Sequence, residues 1–463
     1  MFGCLGNGHI GPRKEFSNFH PFFHLGTTGN CLRRRNLQDK FWLNVCFNEL
    51  TYSYYHVVVI IFYILGAKKT THLPYYGSYQ LHNPILMIND VDLVRHIFVK
   101  DFEYFVDRNG PVLRNAFHTG TETDKIWGKQ MTFATGDDWK NLRTTFSPIF
   151  TSGKMKAMLI FMQETCNQLL ESIDKHIQKK EDFELKDMLG KYSMETIASC
   201  AFGVNPDSFN NSNSKFVEYA NTIFQQSFTD VLKFLTAVAI PGGRQVLKAF
   251  GISIFKEVNT QFFYKVLKTT LDHRRETKTR RNDLVDMMVD AIKGDINHND
   301  EEGEQFEKDA KLNYKGSKSF DEVDIVATAL VLLVAGYDTT GTTLAYALYE
   351  LAKNPEIQDR LQSEIDEVTN GDAEKTITYE DLQNMTYLDQ VISETLRFHT
   401  LLPMLQRSTN KEYKLPGYDL VIPENTELMI NVMAIHFDPK HYVDPDNFNP
   451  DHFSKEAKAQ RSP

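Results

Sequence analysis

The strongest pattern of apolar positions runs from Ile325 to Val334, interrupted only by Thr328. No proline falls between Phe320 and Lys353, so the pattern predicts one long helix there, roughly 50 Å from end to end. Apolar residues on every side of its first half predict a buried helix, not a half-exposed one. Ser319 with Glu322 reads as a capping box. Asn354-Pro355 stops the helix and starts the next. The centre, Ala335-Gly336-Tyr337-Asp338-Thr339-Thr340, is polar where its flanks are not. Gly336 costs about 1 kcal/mol against alanine in a helix but admits something close to the backbone. Asp338 is expected as a buried carboxylate, expensive unless partnered. The threonine hydroxyls can bond back to the carbonyls of the preceding turn. Two readings stay open on these residues alone: a packing glycine beside a polar patch, or a site.

Elsewhere the patterning predicts mostly helix. Tyr75–Tyr79 and Asn83–Asp90 read as two short strands joined by a turn, and Val91–Val99 as a helix. Residues 109–130, rich in Gly, Thr and Asn, read as loop. Met155–Ile177 is amphipathic, Glu184–Phe202 is a further helix, and Asn205–Ser214 a loop. Phe216–Ile240 is strongly apolar, with Phe224, Phe228, Phe234 and Leu235, and Pro241-Gly242-Gly243 breaks it. Helix is predicted over Val258–Lys293, Pro355–Val368 and Tyr387–His399, and short strands around the Leu415-Pro416-Gly417-Tyr418 turn and at Leu428–Asn431. The fold class is therefore mainly α, a helical bundle around a long central helix with a small β-region. One domain is expected over 74–463, with 294–318 as a charged insert that has nothing apolar to bury. Residues 1–73 form a leader without periodicity. Its five basic residues up to Arg35 face only Glu15, which leaves a transit-peptide reading open beside a disordered one. The apolar run Val57–Leu65 is far short of the ~20 residues that span a bilayer, so no transmembrane helix is predicted.

Composition narrows the function. Hydrophobic content of 41% with 33 phenylalanines supports a large core. A net charge of −10 without a basic tract argues against nucleic acid. Cys4, Cys31, Cys46, Cys166 and Cys200 fit neither a zinc spacing nor a disulfide framework, which suits a reducing compartment.

Three more constellations carry chemistry. Trp139 and Arg143 share a helix face, where an indole N–H and a guanidinium suit a carboxylate or simply stack on each other. Glu394 and Arg397 form an i, i+3 ion pair that alone means little. His436-Phe-Asp-Pro439 and Asp444-Pro445 lead to His452-Phe453.

In this order the motifs resemble the cytochrome P-450 family, Arg280–Met288 resembles its helix before the central one, and Phe146-Ser-Pro-Ile-Phe-Thr-Ser-Gly-Lys154 resembles its animal microsomal clan, which includes drug-metabolising and thromboxane-synthase-like members. The resemblance covers about residues 74–463. It implies one mostly helical domain holding haem b against the central helix. Ala335 and Gly336 would face the haem, and Asp338 and Thr339 would relay protons in oxygen activation. Trp139, Arg143 and Arg407 would hold the propionates. Glu394, Arg397 and His452 would form a structural network, with His452 standing where the family usually has arginine and weakening it. The implied reaction is monooxygenation of a small lipophilic substrate beneath the roof segment 216–240. Electrons would come from NADPH through NADPH–cytochrome P-450 reductase. The implied place is the cytosolic face of the endoplasmic reticulum membrane, with mitochondria as the alternative. The family's axial cysteine lies in a Phe-Gly-x-Gly-x-Arg-x-Cys loop near the C-terminus. No cysteine follows Cys200 here and the chain ends at Pro463, so no metal ligand is assigned and a truncated, inactive product is one alternative. A haem-thiolate isomerase of lipid peroxides is the other. It has no need of proton delivery, so Asp338-Thr339 favours the monooxygenase.

Overall fold

The computed structural model describes residues 73–80, 83–108, 120–211, 214–223, 227–281, 283–293, 321–372 and 375–461. The leader up to residue 72, with its Val57–Leu65 run, and the charged insert 294–318 lie outside them. The chain opens with strands β1 (Tyr75–Gln80) and β2 (Asn83–Ile88) and helix α1 (Val91–Arg95), which continues as a wider turn to Lys100. Residues 109–130 are not all loop: Glu122–Lys129 forms α2, capped by the Thr121 hydroxyl on the Asp124 N–H. Then come α3 (Gly136–Phe146), α4 (Ser152–Lys179) and α5 (Leu185–Ile197). The apolar segment 216–240 is two helices, α6 (Lys215–Ile223) and α7 (Phe228–Ala239), the second started by a Ser227–Asp230 capping box. Gly242 and Gly243 open α8 (Gly243–Ala249). The predicted helix over 258–293 also divides, into α9 (Glu257–Thr277) and α10 (Leu284–Lys293).

The central helix is α11 (Glu322–Lys353). Its capping box is Asp321 with Asp324, whose carboxylate accepts the Asp321 N–H at 3.2 Å, not Ser319 with Glu322. Glu322 is taken instead by Lys268 and by Arg275 at 2.8 Å. Pro355 opens α12 (Pro355–Thr369), followed by α13 (Tyr379–Asn384) and α14 (Thr386–Phe398). The main sheet adds β3 (Met404–Ser408) and β6 (Glu427–Asn431), with the pair β4 (Tyr413–Lys414) and β5 (Val421–Ile422) beside it. Its order is β1-β2-β6-β3, antiparallel except for the parallel pair β2 and β6. Short helices α15 (Val432–His436) and α16 (Lys455–Ala459) complete the described residues.

Two features place the site. First, α11 crosses α5 at glycines. A Cβ on Gly341 would stand 3.1 Å from both the Cα and N of Gly190, so the two backbones touch. Leu344 and Ala345 pack on Leu189 at this crossing, and the largest core lies N-terminal to it along α11, where Ile325, Val326, Ala329, Leu330 and Leu333 meet Phe263, Leu267 and Met288 from α9 and α10. Alone, α11 is long and apolar enough to cross a membrane, but this packing makes it a core helix. Second, alternation along the sheet sends Leu86, Ile88, Leu428 and Ile430 to the face that meets α1. The opposite face carries Ile85, Met87, Met404 and Met429. Glu427 shares that second face through its pairing with Ile85. It is 3% exposed, and burial pushes its carboxyl from 4.5 up to about 7.

Two predictions follow from this packing. Gly341→Val would add about 1 kcal/mol of helix propensity at best, against overpacking into backbone that cannot step aside. We expect a net loss of at least about 2 kcal/mol by denaturant unfolding; an unchanged midpoint would show that the helices separate freely. For Glu427 the folded pKa lies above the unfolded one, so the neutral acid supports the fold at low pH and that support disappears as pH rises through about 7. Glu427→Gln should change little near pH ~4, below the unfolded pKa, and stabilise by up to ~3 kcal/mol near pH ~8. Urea midpoints at the two pH values measure the difference.

Candidate active site

Midway along α11 the buried surface gives way. Leu333 and Val334 are buried, Ala335, Thr339 and Thr340 are exposed, and Gly341 and Thr342 are buried again. An opening therefore lies against one edge of the helix, one turn long and lined by small side chains. Asp338 is half-buried at its rim, not the enclosed carboxylate its apolar surroundings in sequence suggest, because it sits where the packing stops. The Thr339 hydroxyl donates to the Ala335 carbonyl at 2.6 Å, and Thr343 donates to the Thr339 carbonyl at 2.8 Å. The Thr339 proton is thus held inside the helix while its oxygen lone pairs can accept from the open side. Ala335 faces the opening. Gly336 does not: a Cβ there would meet Ile197 of α5 at 3.2 Å. It is a helix-packing glycine, and the expectation that it lies against a cofactor is corrected on that ground.

A second group of residues gathers around Asp107. Its carbonyl accepts the Ser408 N–H at 2.8 Å in an antiparallel bridge, which sets Arg108 across from Arg407 on β3. Its carboxylate accepts the Gly136 N–H at 2.8 Å, which fixes the start of α3 and so the position of Trp139 and Arg143 one and two turns on. Trp139 is buried against Phe102 and Val106. The Arg407 guanidinium lies over the Phe98 ring, 4.3 Å from its centre. Arg108 stays reachable by water although protein surrounds it. Desolvation first, and then the nearby charge of Arg143, lowers its pKa. Neither Asp107 nor Arg108 was singled out in the sequence. Two arginines drawn together by chain segments distant in sequence leave no local motif.

The third constellation braces the fold. Glu394 and Arg397 form a bidentate pair, 2.7 Å at each arm and fully buried. Arg397 also donates to the carbonyls of His436 and Pro445 at 2.9 Å and of Asn447 at 3.3 Å. His452 lies beside the pair, its Nδ1 3.1 and 3.2 Å from the Glu394 oxygens, while Nε2 lies 2.6 Å from the Val443 carbonyl. The Asn449 N–H reaches Glu394 at 2.8 Å. Burial pushes the Glu394 carboxyl up, yet hydrogen bonds from Arg397 and His452 hold it below the usual range. The backbone donor supplies much of what an arginine in place of His452 would add.

Arg108, Arg143 and Arg407 would suit the carboxylates of an acidic group, and the small side chains at Ala335 and Thr339 would leave room for a flat one. They do not supply a ligand for a central iron. Cys200 donates weakly to the Met158 carbonyl at 3.7 Å, and burial pushes its thiol up to about 11, away from the thiolate a metal needs. Cys166 is buried as well. His399 is taken by Glu350 at 2.9 Å, and His436 by Thr400 at 2.8 Å. Among the described residues no group of three His, Cys, Asp or Glu side chains could hold a metal.

The comparisons give the family. A family model described as cytochrome P450 matches residues 64–463. Cytochrome P450 6B2 of Helicoverpa armigera is 33% identical over 448 residues, 96% of this chain and 82% of its own length. Cytochrome P450 6k1 of Blattella germanica is 34% identical over 396 residues, 85% of this chain and 72% of its own. Probable cytochrome P450 6a13 of Drosophila melanogaster is 34% identical over 389 residues, 84% and 72%. Taken with the helical fold and the opening on its central helix, they show that the chain belongs to the cytochrome P450 family, the haem monooxygenases that draw electrons from NAD(P)H through a reductase.

Proposed function

We propose that this protein oxidises small lipophilic molecules at a membrane surface, taking electrons from an NADPH-dependent reductase. The observation that carries this is the opening at Ala335 and Thr339, with the arginine corner of Arg108, Arg143 and Arg407 and with Trp139 nearby. Haem, when bound, supplies the redox chemistry. One oxygen atom of dioxygen enters the substrate and the other leaves as water, consuming two electrons and two protons. The chain's own residues hold and orient. Arg108, Arg143, Arg407 and the Trp139 indole would hold the propionates, and the small side chain of Ala335 would leave room for the ring. Asp338 and the Thr339 hydroxyl hold a proton at the mouth of the opening and pass it inward. The apolar helices α6 and α7 keep bulk water out and favour apolar substrates. An isomerase would have no work for Asp338 and Thr339, so the monooxygenase reading is preferred.

The membrane surface is read from α7 and α8. Phe228 is 82% exposed and Phe250 75%, with Leu232, Leu235, Ile240 and Val246 exposed between them. That many large apolar side chains on one short stretch mark a docking face, and Arg244 and Lys248 lie in the same stretch.

In the enzyme reconstituted with its reductase, Thr339→Ala should keep consuming NADPH while product per NADPH falls at least about tenfold. An unchanged ratio would remove Thr339 from proton delivery. The double variant Phe228→Asp with Phe250→Asp should lose most binding to phospholipid vesicles in a flotation assay while its melting curve stays put. Retained binding would place the membrane contact elsewhere.

A further inference from the structure

Glu427 is a buried acid outside the candidate site. It lies on the face of the main sheet turned away from α1, beside Ile85 and Met429. Its closest neighbours on β3 are polar. Ser408 stands directly opposite it, and Gln406 is the next residue of β3 on the same face, opposite Met429. All three are enclosed: Ser408 is 1% exposed, Glu427 3% and Gln406 6%. Each nevertheless keeps a polar atom without a hydrogen-bond partner among the described residues, namely Glu427 Oε1, Ser408 Oγ and Gln406 Nε2. The pKa of Glu427 tells the same story, since desolvation acts on it and no donor offsets the rise.

Register explains why these groups do not satisfy one another. The Ser408 N–H is given to the Asp107 carbonyl at 2.8 Å. It therefore points away from β6, and Ser408 and Glu427 form a non-hydrogen-bonded pair. Residues paired in this way stand closest, with about 4.5 Å between Cα atoms, and their side chains rise side by side. The serine ends at the first atom beyond its Cβ, whereas the glutamate and the glutamine both run on past it. A short side chain between two long ones leaves a step in the layer above Ser408, walled by Glu427 and Gln406 and closed to bulk solvent.

The chemistry of the walls selects what fits there. A carboxylate oxygen accepts, an amide nitrogen donates, and a hydroxyl does either. A metal cation would face the Gln406 N–H, and an anion would face the Glu427 oxygen. An apolar group would leave all three atoms unpaired, which protein interiors rarely tolerate. A small neutral molecule that both donates and accepts suits every wall. Interior water makes about three hydrogen bonds to groups of this kind.

We propose that the step above Ser408 is a binding site for one ordered water molecule, which donates to Glu427 Oε1, accepts from Gln406 Nε2 and shares its third bond with the Ser408 hydroxyl. The site lies on the strand that carries Arg407, on the opposite face from that arginine, and is independent of the monooxygenase reading.

A crystal structure of the parent protein, at a resolution that shows ordered waters, tests the site without any variant. Density for one water should lie within hydrogen-bonding reach, about 2.7–3.2 Å, of all three atoms. A protein side chain in the step, or a direct bond from Ser408 to Glu427 with no density between them, overturns the proposal. Magnetic relaxation dispersion of water oxygen then asks whether the molecule is held in solution. Ser408→Val fills the step, and its dispersion amplitude should fall below the parent's by the equivalent of one long-lived water. Equal amplitudes in a folded variant would mean that the molecule exchanges as freely as surface water, and would overturn the enclosed site. If Ser408→Val does not fold, the parent crystal structure decides alone.

Discussion

The backbone contact between Gly341 and Gly190 sets the distance on which the rest of the molecule depends. A helix pair normally packs at 8–10 Å between axes, the spacing depending on the side chains between them. With no side chain on either partner at the crossing, α11 and α5 settle at the close end of that range. The central helix is then pressed to one side of the bundle, its apolar residues meet α9 and α10 in the main core, and its opposite edge is left uncovered over Ala335 and Thr339. The opening is thus a product of asymmetric packing. It needs no special helix geometry, since α11 is unbroken from Glu322 to Lys353.

Charge is handled in two different ways in this fold. Glu394 and Arg397 are both fully buried, and removing each from water costs several kcal/mol. The cost is met by a complete set of partners: the pair itself, three backbone carbonyls on Arg397, and His452 with the Asn449 N–H on Glu394. Nothing there is left to react, which is what a scaffold requires. Arg108 shows the reverse: desolvation, and then the like charge of its neighbour Arg143, both act against its charge instead of compensating it. A dianion placed between such groups is stabilised at once by both, and the low local dielectric strengthens the attraction. The fold holds these arginines together through Asp107, whose carbonyl accepts the Ser408 N–H and whose carboxylate accepts the Gly136 N–H.

Legibility in the sequence follows the range of the interactions. The central helix, its proline stop and the glutamate–arginine pair could be read because each is set by spacing within one element. Helix α2 was missed because its residues look like loop, and what orders them is distant: Ser253 bonds Asp124 at 2.7 Å and Thr260 accepts the Trp127 indole N–H at 3.0 Å. The cap of α11 moved from Ser319 to Asp321 because Lys268 and Arg275, more than forty residues away, claim Glu322. The site divides the same way. Trp139, Arg143 and Arg407 were visible through resemblance, whereas Arg108 became visible only when the Asp107–Ser408 bridge set it opposite Arg407. Gly336 was read as a cofactor contact because a glycine states only that space is needed on some side. The side is chosen by Ile197.

The same ambiguity explains why a single turn can serve two purposes. In a helix the residues at 335 and 339 share a face, and those at 336 and 337 are turned well away from it. Small side chains at 335 and 339 make room on the open side, while glycine at 336 and an aromatic at 337 let the far side sit close to α5 and still reach past it to α6. Exchanging the two kinds of residue would fail on both sides. A tyrosine at 335 would fill the opening, and a β-branched residue at 336 would drive the helix off Ile197. The order Ala-Gly-Tyr-Asp-Thr is therefore a packing pattern as much as a chemical one, and the chemistry of Asp338 and Thr339 is available only because the two residues before them fix how closely the turn is held.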